Sequence, residues 1–368
     1  MQDFTIVFSK LSNVAPDGVV GGTPRFIIPE TIFKSLSINP FRQNKDVVMV
    51  KVGIVDGRVG GSEYVFPLLA RCDGGEVSAG GGSSTSVEQW ARKSGLGVEL
   101  SAMFEDCRDG DFDVGFGVGM SQRAVKIHRL LGCCVFEYPR LVMLLKSRAV
   151  VEMKINNWLA KPIVKILDGC IWAYSQLVSF LGVVKTAGIK VVNVNADDKA
   201  QLSTLAQMTE VDGARFSEIH DARWFKWVLN NSFSKEGPAK AYLMFKKDLP
   251  IGFFMVKERF HEQASHRGFK NVRLGSVIEW GCLPGCETKL LWRIVLWVMK
   301  HRKKLDAVEF PAYEQFVQKF LRRLGWQHVG DANFCYRIRP GSSFKEPKEM
   351  DNPANWRLRA GMGDCALN

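Results

Sequence analysis

The spacing of apolar residues changes several times along the chain, and each change marks an element. Val47–Val55 is a β-prone run that leads into Asp56-Gly57, a strong short turn signal, and Arg58–Phe66 reads as the return strand. Gly80–Ser84 reads as a flexible loop overlapping a short strand, Ser83–Val87. Val98–Phe104 reads as a helix. Ser121–Leu131 has apolar positions at helical spacing, stops at Gly132 and leads into another strand. The same order returns later. Ala241–Val256 has a hairpin pattern, Val272–Trp280 predicts a strand, Glu287–His301 an apolar helix, Asp306–Phe310 a strand, and Tyr313–Leu324 a helix ending at Gly325. This repetition predicts an α/β (α+β mixed-sheet) protein made of two copies of one unit rather than one large sheet. The expected divisions are 1–150 for the first copy, 151–190 for a bridging helix, 191–340 for the second copy and 341–368 for a tail.

The stretch 166–184 is almost wholly apolar and near the ~20 residues that a bilayer span needs. It contains Asp168, Ser175, Gln176 and Ser179, and Lys161, Lys165 and Lys185 flank it. The first expectation is a buried or domain-bridging helix. The second is a helix lying on an inner leaflet, a peripheral membrane contact. A true span comes last.

The formal charge of +12 suggests an anionic partner, which a nucleotide-bearing cofactor, nucleic acid or acidic lipid would satisfy; a generally basic surface is the alternative. Nine cysteines, odd in number and with Cys133 next to Cys134, read as reduced thiols rather than a disulfide framework. Cys282-x-x-x-Cys286 is at most half a metal site, and no second pair accompanies it, so no metal is expected. The N-terminus lacks a basic region followed by an apolar stretch, and the expected location is cytoplasmic.

The strongest chemical signal is Arg92-Lys93-Ser94-Gly95-Leu96-Gly97, which stands between the Ser83–Val87 strand and the helix after it. A helix start has unpaired backbone N–H groups and the positive end of the macrodipole, so it draws anions. Gly95 and Gly97 let amides approach a phosphate with no Cβ in the way. Arg92 and Lys93 add charge for a second phosphate.

Val87, Arg92, Gly95 and Gly97, followed by Ala124 and Gly132 in the next helix, resemble the two motifs of the acyl-CoA N-acyltransferase superfamily, the GNAT fold. In that family the first motif cradles the coenzyme A pyrophosphate. The resemblance implies two tandem GNAT-like domains joined by an apolar helix. It implies an acyl-CoA as co-substrate, acetyl-CoA first and another acyl-CoA otherwise, and no metal. Val87, Arg92, Lys93, Ser94, Gly95, Leu96, Gly97 and Ser121 would bind it. This chain departs from the family at Ser121 for Asn, His128 for Tyr and Cys133 for Phe. His128 therefore takes the position of the family's thiolate-protonating Tyr. Backbone amides near Ser86 to Glu88 are the expected oxyanion donors, and Glu76 and Glu279 are candidate bases.

The second copy has Gly281-Cys-Leu-Pro-Gly-Cys-Glu287 in place of the phosphate loop. Pro284 has no N–H, and Glu287 would repel phosphate, so this half is expected to shape the acceptor cleft. Asp221–Asn230 and Pro353–Asp364 resemble segments of tandem GNAT proteins from bacterial surface-polysaccharide clusters. The implied reaction is acyl transfer to a small-molecule amine, an amino sugar or sugar nucleotide, with no DNA partner. In Asp221–Asn230, Trp224 and Trp227 lie at i, i+3, which favours a core role over sugar stacking. Gly115–Gly119 lacks dinucleotide-fingerprint spacing and reads as a strand with close backbone approach. Two other readings stand beside this one: an aminoacyl-tRNA-dependent transferase of the Fem type, and a non-catalytic membrane scaffold.

Overall fold

The computed structural model describes residues 4–14, 19–20, 23, 26–42, 47–102, 112–148, 160–211, 213–261, 271–339, 341–342, 347, 349–362 and 366–367. In chain order the elements are β1 (Phe4–Lys10), α1 (Glu30–Ser37), β2 (Val48–Val55), β3 (Arg58–Cys72), β4 (Gly75–Val87), α2 (Leu96–Ser101), β5 (Val114–Val118), α3 (Gln122–Leu130) and β6 (Cys134–Leu144). Then come α4 (Ala160–Lys185), β7 (Ile189–Asn193), α5 (Lys199–Glu210), β8 (Phe216–Glu218), α6 (Ala222–Asn230), β9 (Lys240–Lys246), β10 (Leu249–His261) and β11 (Val272–Cys282). The last are α7 (Glu287–His301), β12 (Ala307–Pro311), α8 (Gln315–Arg323) and β13 (Gln327–Ile338).

Local chemistry explains several of these. Asp56 (φ 50°) and Gly57 (φ 72°) are both left-handed, as the two-residue turn joining β2 to β3 requires. Ser121 caps α3 by accepting from Ala124 N, and Asp221 caps α6 by accepting from Arg223 N and Trp224 N. α7 is apolar almost all round, and eight of its residues, Leu290 to Met299, are buried.

The thirteen strands among the described residues lie in one sheet, ordered β1-β2-β3-β4-β5-β13-β6-β12-β11-β10-β9-β7, with β8 on β3. The repeat is real at this level. β2-β3-β4-α2-β5-α3-β6 and β9-β10-β11-α7-β12-α8-β13 follow one another in kind, and each has a parallel pair, β4 with β5 and β11 with β12. The two halves then exchange their last strands. β13 sits between β5 and β6, and β6 pairs with β12, all antiparallel. One large sheet therefore replaces two separate ones, and the division at 150 falls among residues outside those described.

Three further expectations change. Gly80, Gly81 and Gly82 are not a loop: they pair with Gly115, Phe116 and Gly117 inside the sheet, because Phe112 packs where a Cβ of Gly80 would stand. The helix expected at 98–104 is α2, 96–101, and Met103 and Phe104 lie outside the described residues. The segment from 349 is no loose tail. Trp356 is 4% exposed and lies among Phe116, Phe136, Phe216, Phe334 and Tyr336, so it joins the core shared by both halves. α4 does bridge the halves in sequence, but it is not buried. Trp224 and Trp227 are core, as their spacing predicts.

Candidate functional site

β4 and β5 pair only from Ala79↔Val114 to Gly82↔Gly117. Past that point β4 runs on to Val87 alongside β3, while β5 ends at Val118, so the two strands part. α2 follows β4 and α3 follows β5, and both flank the gap. The loop between β4 and α2 is closely held. Glu88 N donates to Gly60 O at 2.8 Å, Ser94 Oγ donates to Ala91 O at 2.8 Å, and Leu96 N donates to Ser94 Oγ at 3.2 Å. Gly95 has φ 93°, a conformation that a residue with a Cβ adopts only with strain. Leu96 and Leu100 are fully buried and fit against Gly53 and Gly61 of the β2–β3 hairpin, where side chains would collide with them. These contacts set α2 tightly on the sheet.

The gap is a cleft of about 330 Å³, lined by Thr85, Val87, Arg92, Gly95, Gly97, Val98, Ser101, Ser121, Arg123, Ala124 and Ile127. Five of the eight residues expected to bind a cofactor are here: Val87, Arg92, Gly95, Gly97 and Ser121. Ser94 and Leu96 are buried beneath the loop and shape it instead, and exposed Lys93 is not among the lining residues. Arg123 supplies the second cation. It was missed because nothing in its own spacing marks it; it reaches the cleft because Ser121 starts α3 there. Arg92 Nε donates to Val87 O at 3.3 Å, so that carbonyl turns toward the cleft. Glu88 N is spent on β3, and strand alternation turns Val87 N–H the opposite way.

A second cleft of about 320 Å³ meets the first at Ser121. Its walls come from both halves: the β5–α3 turn, Tyr138 and Arg140 on β6, Arg259 on β10, Glu309 on β12, Val329–Asn333 on β13, and Ala360. Glu309 is 2% exposed and accepts from Ser276 Oγ at 2.5 Å. Arg259 lies 3.5 Å and Arg140 3.9 Å from its carboxylate. Asp331 is exposed and lies 2.9 Å from His328 Nε2.

None of the three expected acid–base residues reaches either cleft. His128, in the last turn of α3, is buried, with Nδ1 3.8 Å from Cys133 Sγ. Glu76 is exposed at the far end of β4, beside the turn to β3; its eleven-residue separation from Val87 along a strand is roughly 36 Å. Glu279 has no exposure. It accepts from Arg357 Nη2 at 2.5 Å and lies 2.5 Å from His220 Nδ1, whose ring stacks on Trp224 at 3.7 Å. Burial opposes charge on Glu279, but Arg357 and then His220 overcome it and hold the carboxyl at about 2. Burial likewise opposes charge on His220, and Glu279 and Glu218 raise it above its ordinary value.

In the second half, among the described residues, the counterpart of the first cleft is covered. Past Ser276, where β11 leaves β12, the C-terminal segment lies along β11: Gly361 N donates to Ile278 O at 2.6 Å and Arg359 Nε donates to Trp280 O at 3.2 Å. At the start of α7, Glu287 accepts from Gly285 N at 3.0 Å, so the chain's own carboxylate occupies the anion position. Cys282 and Cys286 flank this turn, and among the described residues no group of three or more metal-ligating side chains occurs.

No family model and no curated protein matches the chain. Solved structures do. An N-myristoyltransferase of Saccharomyces cerevisiae, with bound myristoyl-CoA and inhibitors, is 12% identical; the match covers 96% of this chain and 86% of that one, with a TM-score of 0.58. A GCN5-related N-acetyltransferase from Anabaena variabilis is 11% identical over 91% of this chain and 73% of that one, with a TM-score of 0.50. The chain has the fold of the acyl-CoA N-acyltransferases.

Proposed function

We propose that this chain transfers an acyl group, acetyl in the first instance, from acyl-CoA to a small-molecule amine. The observation that carries the reading is the cleft where β4 and β5 part. Arg92, Arg123, Gly95 and Gly97 converge there at the start of α2 and α3, in a fold shared with a protein that binds myristoyl-CoA. Two guanidiniums and a glycine loop suit a pyrophosphate. The acceptor would enter by the adjoining cleft, which the second half completes. An amino sugar or sugar nucleotide would meet there the Arg140–Glu309–Arg259 cluster, which offers both signs of charge, and exposed Asp331, whose carboxylate can accept from an amine.

In this account the amine nitrogen attacks the thioester carbonyl. The C–N bond forms, the C–S bond breaks, and coenzyme A leaves as the thiolate. Val87 N–H is the oxyanion donor that strand alternation favours. Asp331, backed by His328, accepts the proton that the nitrogen loses. Most of the rate comes from positioning donor and acceptor across Ser121. Incubation with acetyl-CoA and a panel of amino sugars, read by free-thiol release and product mass, tests this. Acyl-amine formation supports it. No product and no thiol release with any acceptor or acyl-CoA would refute it.

A further inference from the structure

We propose that α4 seats this protein on a membrane surface carrying anionic headgroups, lying flat in the interface. The helix is arranged opposite to an ordinary surface helix, which hides its apolar stripe. Its inward face is mainly polar or small beside the buried Val178, and the same face continues to Thr186 just past the helix end. Asp168 accepts from Ser147 N at 2.7 Å and Ser147 Oγ at 2.8 Å. Ser175 Oγ accepts from Arg302 at 3.2 Å, Gly182 admits Leu296, and Thr186 is fully buried. Its outward positions are apolar apart from Gln176: Ile166 and Phe180 are each 67% exposed, and Trp172, Leu177, Val183 and Val184 each exceed half. Between Lys165 and Lys185 the one charged residue is Asp168, which faces inward.

So large an apolar face marks a docking surface, and charge identifies the partner. Exposed Lys161, Lys165 and Lys185 bracket the stripe, and none pairs with a carboxylate among the described residues. The whole chain carries +12. Lysines beside an apolar, Trp-bearing helical face are drawn to anionic lipid. A second copy of the same basic surface would bring like charges together. Packing decides between lying and crossing. The helix is long and apolar enough to span, but Ser175 meets Arg302, Gly182 meets Leu296, and Thr186 O accepts from Arg293. These contacts fasten it antiparallel along α7, and crossing would break them and strand Asp168 in lipid. The inference stands independently of the acyltransferase reading.

Flotation of the full chain with phosphatidylcholine vesicles, with and without phosphatidylglycerol, tests it. The wild type should float with the anionic vesicles. Leu177→Glu with Phe180→Glu, both exposed, should bind at least tenfold less while keeping its circular dichroism spectrum. Lys161→Glu with Lys165→Glu should reduce anionic-vesicle binding to the neutral-vesicle level. Equal flotation of wild type and the Leu177/Phe180 variant would overturn the proposal. So would a wild-type dimer that fails to float and that the same variant dissociates.

Discussion

A carboxylate without solvent and with Arg357 and His220 against it serves structure, and Glu279 shows this. Its sequence signal, a glutamate near a strand end, was the same as that of a catalytic base. What could not be read was the approach of Arg357 from 78 positions away. Removing Arg357 takes the strongest of its cationic partners from a buried carboxylate and leaves it to His220 and Arg359, so Arg357→Ala should cost about 3 kcal/mol in a denaturant melt. The pH dependence follows from the signs. Glu279 is held at about 2 against an ordinary 4.5, so its stabilisation is complete above 4.5 and is lost as pH falls toward 2. His220 is raised above 6.5, so its contribution is complete below 6.5 and is lost as pH rises through its folded value. Thermal midpoints of the wild type should therefore drop steeply below about pH 4.5. Glu279→Gln should flatten that acid limb; parallel curves would contradict this assignment. Asp331 makes the opposite case, exposed at the cleft. Asp331→Asn should lower kcat by about 10²-fold or more and leave donor affinity unchanged.

At the scale of elements, the phosphate loop was legible because its chemistry is local. Arg92, Gly95 and Gly97 follow a strand and open a helix, and the structure keeps that order. Gly95 carries the loop's geometry at φ 93°. Gly95→Val should destabilise by about 1–2 kcal/mol and weaken donor binding together, measured by melting and titration. The glycine run at 80–82 misled because glycine usually signals a turn. Here it admits Phe112 and the neighbouring strand, which are contacts that no local window contains. Arg123 escaped notice for the same reason: its role comes from the meeting of two helices, not from its own segment.

At the scale of the whole molecule, the repeat was visible as a recurring order of elements, but its joining was not. Nothing local in Cys134–Leu144 or Gln327–Ile338 tells which half each strand will enter. That exchange makes the halves one cooperative body. Residues 1–150 expressed alone should show no cooperative melt, since β5 and β6 would both lose β13 between them. A sharp transition for that fragment would contradict the shared sheet. The exchange also serves the site, since the second half closes one cleft with Arg259 and Glu309 while its own segment at 359–361 fills the equivalent groove.

Calorimetric titration of the full chain with acetyl-CoA, repeated on Arg92→Glu with Arg123→Glu and on Gly97→Trp, decides whether the cleft between α2 and α3 holds the acyl donor. The wild type should show saturable one-to-one binding, weakened at least tenfold by the charge reversals and abolished by the tryptophan that fills the cleft, with melting unchanged by the charge reversals. Wild-type affinity retained in both variants, or no binding by the wild type to any acyl-CoA, would contradict that placement of the donor.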